Sequence, residues 1–408
     1  MNGEGLTSRT RPLPDGADLL RAVDPGGFVW LHEGLGLVAS GVAARVPLPT
    51  GPGRLAKAAG DVAAVLDAIS TDDPLELPGT GPLAVGAVPF LDGQEGELIV
   101  PARVVGVAED GQAWVTEVGP APEAAAAGPA VLPPLEPTSF VVESEGGRLA
   151  WTATVRRALA AIGGGSLEKL VLARRVTVWG DQPFPLPVVV SRLAKAHPSC
   201  FTFLSGGFVG ASPELLLRRR GRWAWSRPMA GTVERGGSRA EDRRLATELR
   251  HSAKDHDEHR VVVDDVRARL KACCQEVFVK GPELVSLSSV THLATSVTGR
   301  LGQPAPTALG LVAALHPTPA VGGSPRQAAL AAIAELEGFD RGLYAGPVGW
   351  VDRRGDGDWA VALRCARVDG RRAVLSAGAG IVAGSDPEQE WTETQAKLEP
   401  MLRALVRV

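Results

Sequence analysis

LEKLVLARRVTV, residues 167–178, follows the helix-like stretch WTATVRRALAAI at 151–162, and Gly163, Gly164 and Gly165 separate the two. Glycines of this kind end helices. The run after them is apolar and β-branched, so it reads as a strand, with Lys169, Val171 and Ala173 on one face because strand side chains alternate. Working outward, further strands are expected near 201–209, 214–226, 346–353, 359–367 and 372–377. A charged helical stretch is expected from Ser238 to Cys274 and a last helix from Pro387 to Leu405. Upstream, FVWLHEGLGLVASG (28–41), PLAVGAVPFL (82–91) and ELIVPARVVGVA (97–108) are short apolar runs broken by Gly and Pro. Many strands and few long helices predict an α+β protein built round large sheets. Residues 1–20 are polar and read as a loose leader. Residues 21–408 read as one domain, with a β-rich first half (21–118) and a Pro/Ala-rich surface crossing at 119–139.

The 408 residues are 45% hydrophobic and 22% charged, as expected of a globular protein with a sizeable core. A formal net charge of -3, with no dense Lys/Arg run, argues against a nucleic-acid binder. Such a chain must create any attraction for a dianion locally, with a metal ion or a placed arginine. Cys200, Cys273, Cys274 and Cys365 form no CxxC pair and read as reduced thiols. No signal peptide and no apolar run of spanning length is apparent, so a soluble, cytoplasmic protein is expected.

AKDHDEHRVVVDDVRARL, residues 253–270, holds the most chemistry. Val262, Val266 and Leu270 follow the spacing of a buried helix stripe, and extending it backward reaches Glu258 and Asp255. Buried carboxylates need a cation, a donor or a raised pKa. On spacing alone the plainer reading is a structural salt bridge to Lys254, Arg260 or another arginine. In the last helix, Asp386 is a candidate N-cap, Pro387 fits the first helical position, and Glu390, Glu393 and Lys397 share a face. Two helices offering oxygen ligands suit magnesium. HDEH (256–259) lacks zinc spacing, and His251 and His256 read as surface residues. SAGAGIVAG (376–384) fails the dinucleotide fingerprint; it reads as a tight turn, or as a glycine turn whose N–H groups approach a carboxylate. Without a Walker-A loop or a GxSxG elbow, nucleotide and serine hydrolysis are disfavoured.

In order along the chain, LEKLVLARR (167–175), ASPELLLRR (211–219), MAGTVERG (229–236), ELRHSAKDHDEHRVVVDDV (248–266), THLAT (291–295), HPTPAVGGSPR (316–326), FDRGLYAGPVGW (339–350), ALRCARV (362–368) and SAGAGIVAGSDPEQEWTETQAKL (376–398) resemble the chorismate-utilising enzymes. That family includes the isochorismate, salicylate, anthranilate and aminodeoxychorismate synthases. The resemblance implies one large chorismate-binding fold, in which extended antiparallel sheets pack as a sandwich flanked by helices. It implies Mg²⁺ as cofactor, with Glu258 and Glu393 as ligands and Glu390 and Asp255 as outer or water-mediated partners. Arg364 matches the arginine for the pyruvyl carboxylate, Gly378 matches a backbone donor, and Gly231, Thr232 and His292 match site-lining residues. Lys397 stands a turn beyond Glu393 on the same helix face and is included with the substrate-binding residues.

Lys169 and Glu214 match a catalytic pair in which the lysine activates water for attack at C2 and the glutamic acid protonates the departing C4 hydroxyl. Lysine titrates at ~10.4, so Lys169 needs burial or a nearby cation to act as a base. Glu214 must keep its proton. Ala320 in HPTPA, and the VGW that follows, resemble the dedicated isochorismate synthases; salicylate synthases carry Thr at that position. Tyr344 is an aromatic that occurs in more than one branch. The reading is an isomerase making isochorismate, with a salicylate synthase or a non-catalytic chorismate binder as alternatives. Chorismate is the expected small-molecule partner of a monomer, with an isochorismate-using enzyme downstream. Menaquinone, a catecholate siderophore and salicylate are the candidate end products.

Overall fold

The computed structural model describes residues 5–14, 16–119, 136–287 and 290–406. Most of the expected 119–139 crossing, residues 120–135, lies outside them. Among the described residues the strands form a thirteen-stranded and a ten-stranded sheet, paired almost entirely antiparallel. Side chains from both, such as Trp30 and Phe203 of the larger and Leu217, Trp350 and Trp359 of the smaller, share one buried core. No described helix is long and apolar enough to cross a membrane.

The leader expected over 1–20 is in part a strand. Thr7–Leu13 pairs antiparallel with Ala113–Val118 and parallel with Ser70–Asp72. Its inward residues are Ser8 and Thr10, each 2% exposed, and the Thr10 and Thr116 hydroxyls lie 2.9 Å apart. The strand is held by backbone pairing and hydroxyl contacts, so it carries no apolar alternation to read. The helical stretch from Ser238 divides into Arg239–His251 and Ala253–Lys271. Ser252 is extended (φ -72°, ψ 108°), which ends the first helix, and its hydroxyl accepts from Asp255 N at 3.2 Å to cap the second. Val262, Val266 and Leu270 are fully buried, as their spacing predicts.

SAGAGIVAG is not a turn. Residues 376–382 belong to the strand Arg372–Val382, which pairs with Lys169–Trp179 along its length, and the turn falls later, at Gly384 (φ +91°). Two neighbouring crossings between the sheets shape the region that these strands border. The chain leaves the larger sheet at Phe208–Ser212 and enters the smaller at Leu215–Arg220 through Pro213 and Glu214. It returns from Gly357–Val361 to Cys365–Asp369 through Arg364. The crossings bond to each other: Val361 N donates to Glu214 O at 3.1 Å, and Ala211 N to Arg364 O at 3.1 Å.

Candidate active site

Where the sheets part, a cavity of about 660 Å³ opens, and every residue expected to catalyse, to hold metal or to bind substrate lines it. Lys169, the first residue of its strand, is 2% exposed, and its Nζ lies 2.8 Å from Glu258 Oε1. Glu258 does not form the salt bridge to Lys254, Arg260 or another arginine that its spacing allows; its partner is Lys169, from the larger sheet. Arg260 points to the surface and pairs with Asp257. Burial opposes the charge on Glu258, but Lys169, Lys397 and Lys254 together outweigh it and hold the carboxyl below its ordinary range.

Glu214 sits at the sheet crossing, 4% exposed. Burial pushes its carboxyl up to about 8, although Lys169, Lys397 and Arg364 pull the other way. At neutral pH it is an acid with a proton to give. Arg364, on the return crossing, is 8% exposed and adopts φ 50°. A non-glycine residue in this left-handed region carries strain. Among the described residues its guanidinium makes no hydrogen bond or ion pair within the chain, and burial lowers its pKa. A buried cation without a counter-ion, lining a cavity, awaits an anion.

Helices Ala253–Lys271 and Pro387–Leu405 bring the other carboxylates to the cavity. Asp386 caps the second helix, accepting from the N–H groups of Glu388 and Gln389 at 3.0 Å, and Pro387 occupies the first turn. Burial raises the pKa of Asp255, and the charges of Glu258 and Glu393 add to the shift. Burial, then the charge of Glu393, raises Glu390 to about 7. Such crowding of oxygen donors is what a hard divalent cation relieves. As they stand, Lys397 pairs with Glu393 and donates to Gly378 O at 2.9 Å. Among the described residues no three carboxylate, imidazole or thiol groups converge on one point. In HDEH the two histidines diverge: His256 meets Arg250 O at 2.9 Å and His259 meets Thr295 Oγ1 at 2.7 Å. His251 is exposed, whereas His256 is half-buried.

The remaining residues form the wall. Gly231 (φ +75°) sits at a bulge, where a Cβ would lie 3.0 Å from that of Asp255. Thr232 and His292 face each other across the strands, with Oγ1 2.9 Å from Nδ1. Burial first, then Arg364 and Lys397, holds the imidazole well below its ordinary pKa, so it is neutral. Burial raises the pKa of Tyr344, whose hydroxyl lies where a Cβ on Gly378 would come within 3.0 Å. Ala320 is half-buried at the turn that closes this side.

Sequence reasoning missed Gly380 and gave Lys254 only a structural part. A Cβ at Gly380 would lie 2.6 Å from Glu258 Oε1 and 3.2 Å from Lys169 Cε. The register Val171↔Gly380 places it opposite the lysine strand, a cue that needs the pairing to be known. Lys254 is exposed at the cavity's edge, and its charge reaches Asp255, Glu258 and Glu390.

The family model described as "Chorismate binding enzyme" matches residues 121–406. The chain belongs to the chorismate-binding enzyme family. It is 36% identical over 402 residues to the isochorismate synthase DhbC of Bacillus subtilis, covering 95% of each chain. It is 43% identical over 263 residues to the salicylate biosynthesis isochorismate synthase of Pseudomonas aeruginosa, covering 63% of this chain and 55% of that protein. Among solved structures, MenF, the menaquinone-specific isochorismate synthase of Escherichia coli, superposes with a TM-score of 0.84 at 26% identity, over 99% of this chain and 95% of that one. The family's mixed architecture, two large and mostly antiparallel sheets flanked by helices, is the one found here.

Proposed function

We propose that this protein is an isomerase that converts chorismate to isochorismate. One observation carries the reading: a buried lysine and a buried, protonated glutamic acid line the same cavity as an unpaired arginine. The names of relatives that match most of the chain support the same substrate and product.

In this reading Arg364 binds a substrate carboxylate, and the neutral pair Thr232–His292 and Tyr344 shape the wall against the ring. Lys169 takes a proton from water as the oxygen bonds to C2. The ring double bonds shift, and the C4–O bond breaks as Glu214 gives its proton to the leaving hydroxyl. One water enters and one leaves, so the product is an isomer. The lysine proton returns to Glu214 through solvent to reset the pair. A base must offer a free electron pair, so Lys169 must part from Glu258 before it acts.

Magnesium would be held by Glu258 and Glu393, with Glu390 and Asp255 beside them, and would supply positive charge to a substrate carboxylate. The oxygen-only donor set and the mutual repulsion of these carboxylates fit that ion. A binder of chorismate would need neither the acid nor the base. Ala320 stands where the resemblance puts Thr in the salicylate synthases, which supports isochorismate as the product.

The test is incubation with chorismate and Mg²⁺, with products separated by chromatography. Isochorismate without pyruvate is expected. Salicylate with stoichiometric pyruvate would make the protein a salicylate synthase, and saturable binding without turnover would make it a binder. Lys169→Ala and Glu214→Ala should abolish turnover and keep ligand binding.

A further inference from the structure

FDRGLYAG supplies Tyr344 to the cavity, but Arg341 of the same stretch lies outside the lining and has no role in the chemistry above. Its guanidinium forms an ion pair with Glu337, and the two side chains are 1% and 0% exposed. Nε donates to both Glu337 oxygens, at 3.2 and 2.9 Å, and Nη2 donates to Oε1 at 2.5 Å. Its planar face lies over the Phe90 ring, 4.5 Å from the centroid.

The pair also completes a sheet edge. One edge of Lys169–Gly180 is fully paired with Arg372–Val382. On the other edge, Lys169 and Leu170 face Ser324 and Gly323, and Val171 N donates to Gly322 O at 2.9 Å. There the short backbone partner ends. Side chains then take its place: Arg341 Nη2 donates to Val171 O at 2.7 Å, and Ala173 N donates to Glu337 Oε1 at 2.7 Å. The other arm of the fork, Nη1, donates to Val321 O at 2.7 Å, next to Ala320. Tyr344 N donates to Arg341 O at 3.0 Å. Three elements that contribute Lys169, Ala320 and Tyr344 to the cavity therefore meet on one buried ion pair.

We propose that Glu337 and Arg341 are positioning residues that fix the lysine strand, the Ala320 turn and the Tyr344 turn in catalytic register. The proposal rests on Lys169 being the base. A planar guanidinium reaches two carbonyls and a carboxylate at once, whereas the single nitrogen of a lysine cannot span them. Charge balance alone would not require arginine; the span does.

The experiment compares Arg341→Lys, which keeps the charge, with Glu337→Gln, which keeps an acceptor for Ala173 N–H, both in the full chain. Amide hydrogen exchange is followed by mass spectrometry alongside turnover. For R341K, misplacement on the ångström scale should lower kcat about 100-fold, while KM for chorismate moves less than about threefold. Peptides covering 170–173 and 321–323 should exchange faster well below the melting temperature, with the rest of the chain unchanged. E337Q should lose about tenfold or less in kcat. If R341K only lowers the melting temperature, with kcat per folded molecule intact and exchange faster everywhere, the pair is structural and the proposal fails. A larger kcat loss in E337Q than in R341K would also overturn it, because charge would then outweigh span. If the wild type does not turn chorismate over, the proposed function falls, and the local exchange pattern still decides whether the pair fixes these segments.

Discussion

Glu214→Gln isolates the acid in the cavity. Burial moves this carboxyl from the ordinary 4.5 to about 8, a rise of about 3.5 in pH. At ~1.4 kcal/mol per unit, folding and protonation of this one group are linked by roughly 5 kcal/mol. The folded state holds the proton more tightly than the unfolded chain does. The stabilisation is therefore complete below the unfolded value near 4.5 and is lost as pH rises through about 8. Glutamine is a neutral isostere and carries no such dependence. The stability of E214Q relative to wild type should rise with pH by ~1.4 kcal/mol per unit between about pH 5 and 8, and then level off. Urea unfolding of both proteins at half-unit pH steps gives the difference, and other titrating groups cancel between them. Parallel curves across that range would refute the argument, because Glu214 would then be an ordinary ionised carboxylate and no acid for a leaving hydroxyl. Turnover gives an independent check: the wild-type rate should fall on the basic side as Glu214 ionises, and E214Q should have almost none.

Arg364→Ala removes the unpaired cation, and the loss of a charge-assisted contact should raise KM for chorismate by about 10- to 150-fold in steady-state kinetics. An unchanged KM would leave the pyruvyl carboxylate without this partner. Glu258→Ala should lose the response of turnover to added Mg²⁺, and an unaltered metal requirement would refute its role as ligand. Gly380→Ala places a Cβ 2.6 Å from Glu258 Oε1, so Glu258 must move; turnover should collapse with a stability loss of only about 1–3 kcal/mol in urea titration. Arg174→Met loses 2.7 Å bonds to Thr394 and Gln395 and the stacking on Trp391. Helix Pro387–Leu405 should then seat less firmly, and a weakened Mg²⁺ response with a lower melting temperature would show it.

Much of the site was legible because its residues sit in local patterns. Ser252 and Asp386 are helix starts in any context, since a side-chain oxygen beside free N–H groups caps whichever helix follows. The Val262, Val266 and Leu270 stripe pointed to Glu258 because helix faces recur at 3.6 residues. Resemblance then attached chemistry to the spacing. The misreadings have a common cause. Thr7–Leu13 buries hydroxyls, and the end of Arg372–Val382 carries Gly378 and Gly380, so both are strands by virtue of their partners and not of their own composition.

By itself, then, the sequence determined the α+β class and the two carboxylate-bearing helices, because these follow from periodicity and caps, while the candidate acid and base were named only by the resemblance of the ordered motifs to the family. The tertiary structure decided which groups meet. It paired Lys169 of the larger sheet with Glu258 of helix Ala253–Lys271, put Glu214 at a sheet crossing dry enough to hold its proton, and left Arg364 without an ion pair among the described residues. Pairing and desolvation are properties of distance and packing between segments far apart in the chain. No local pattern encodes them, and the charge state of the cavity depends on both.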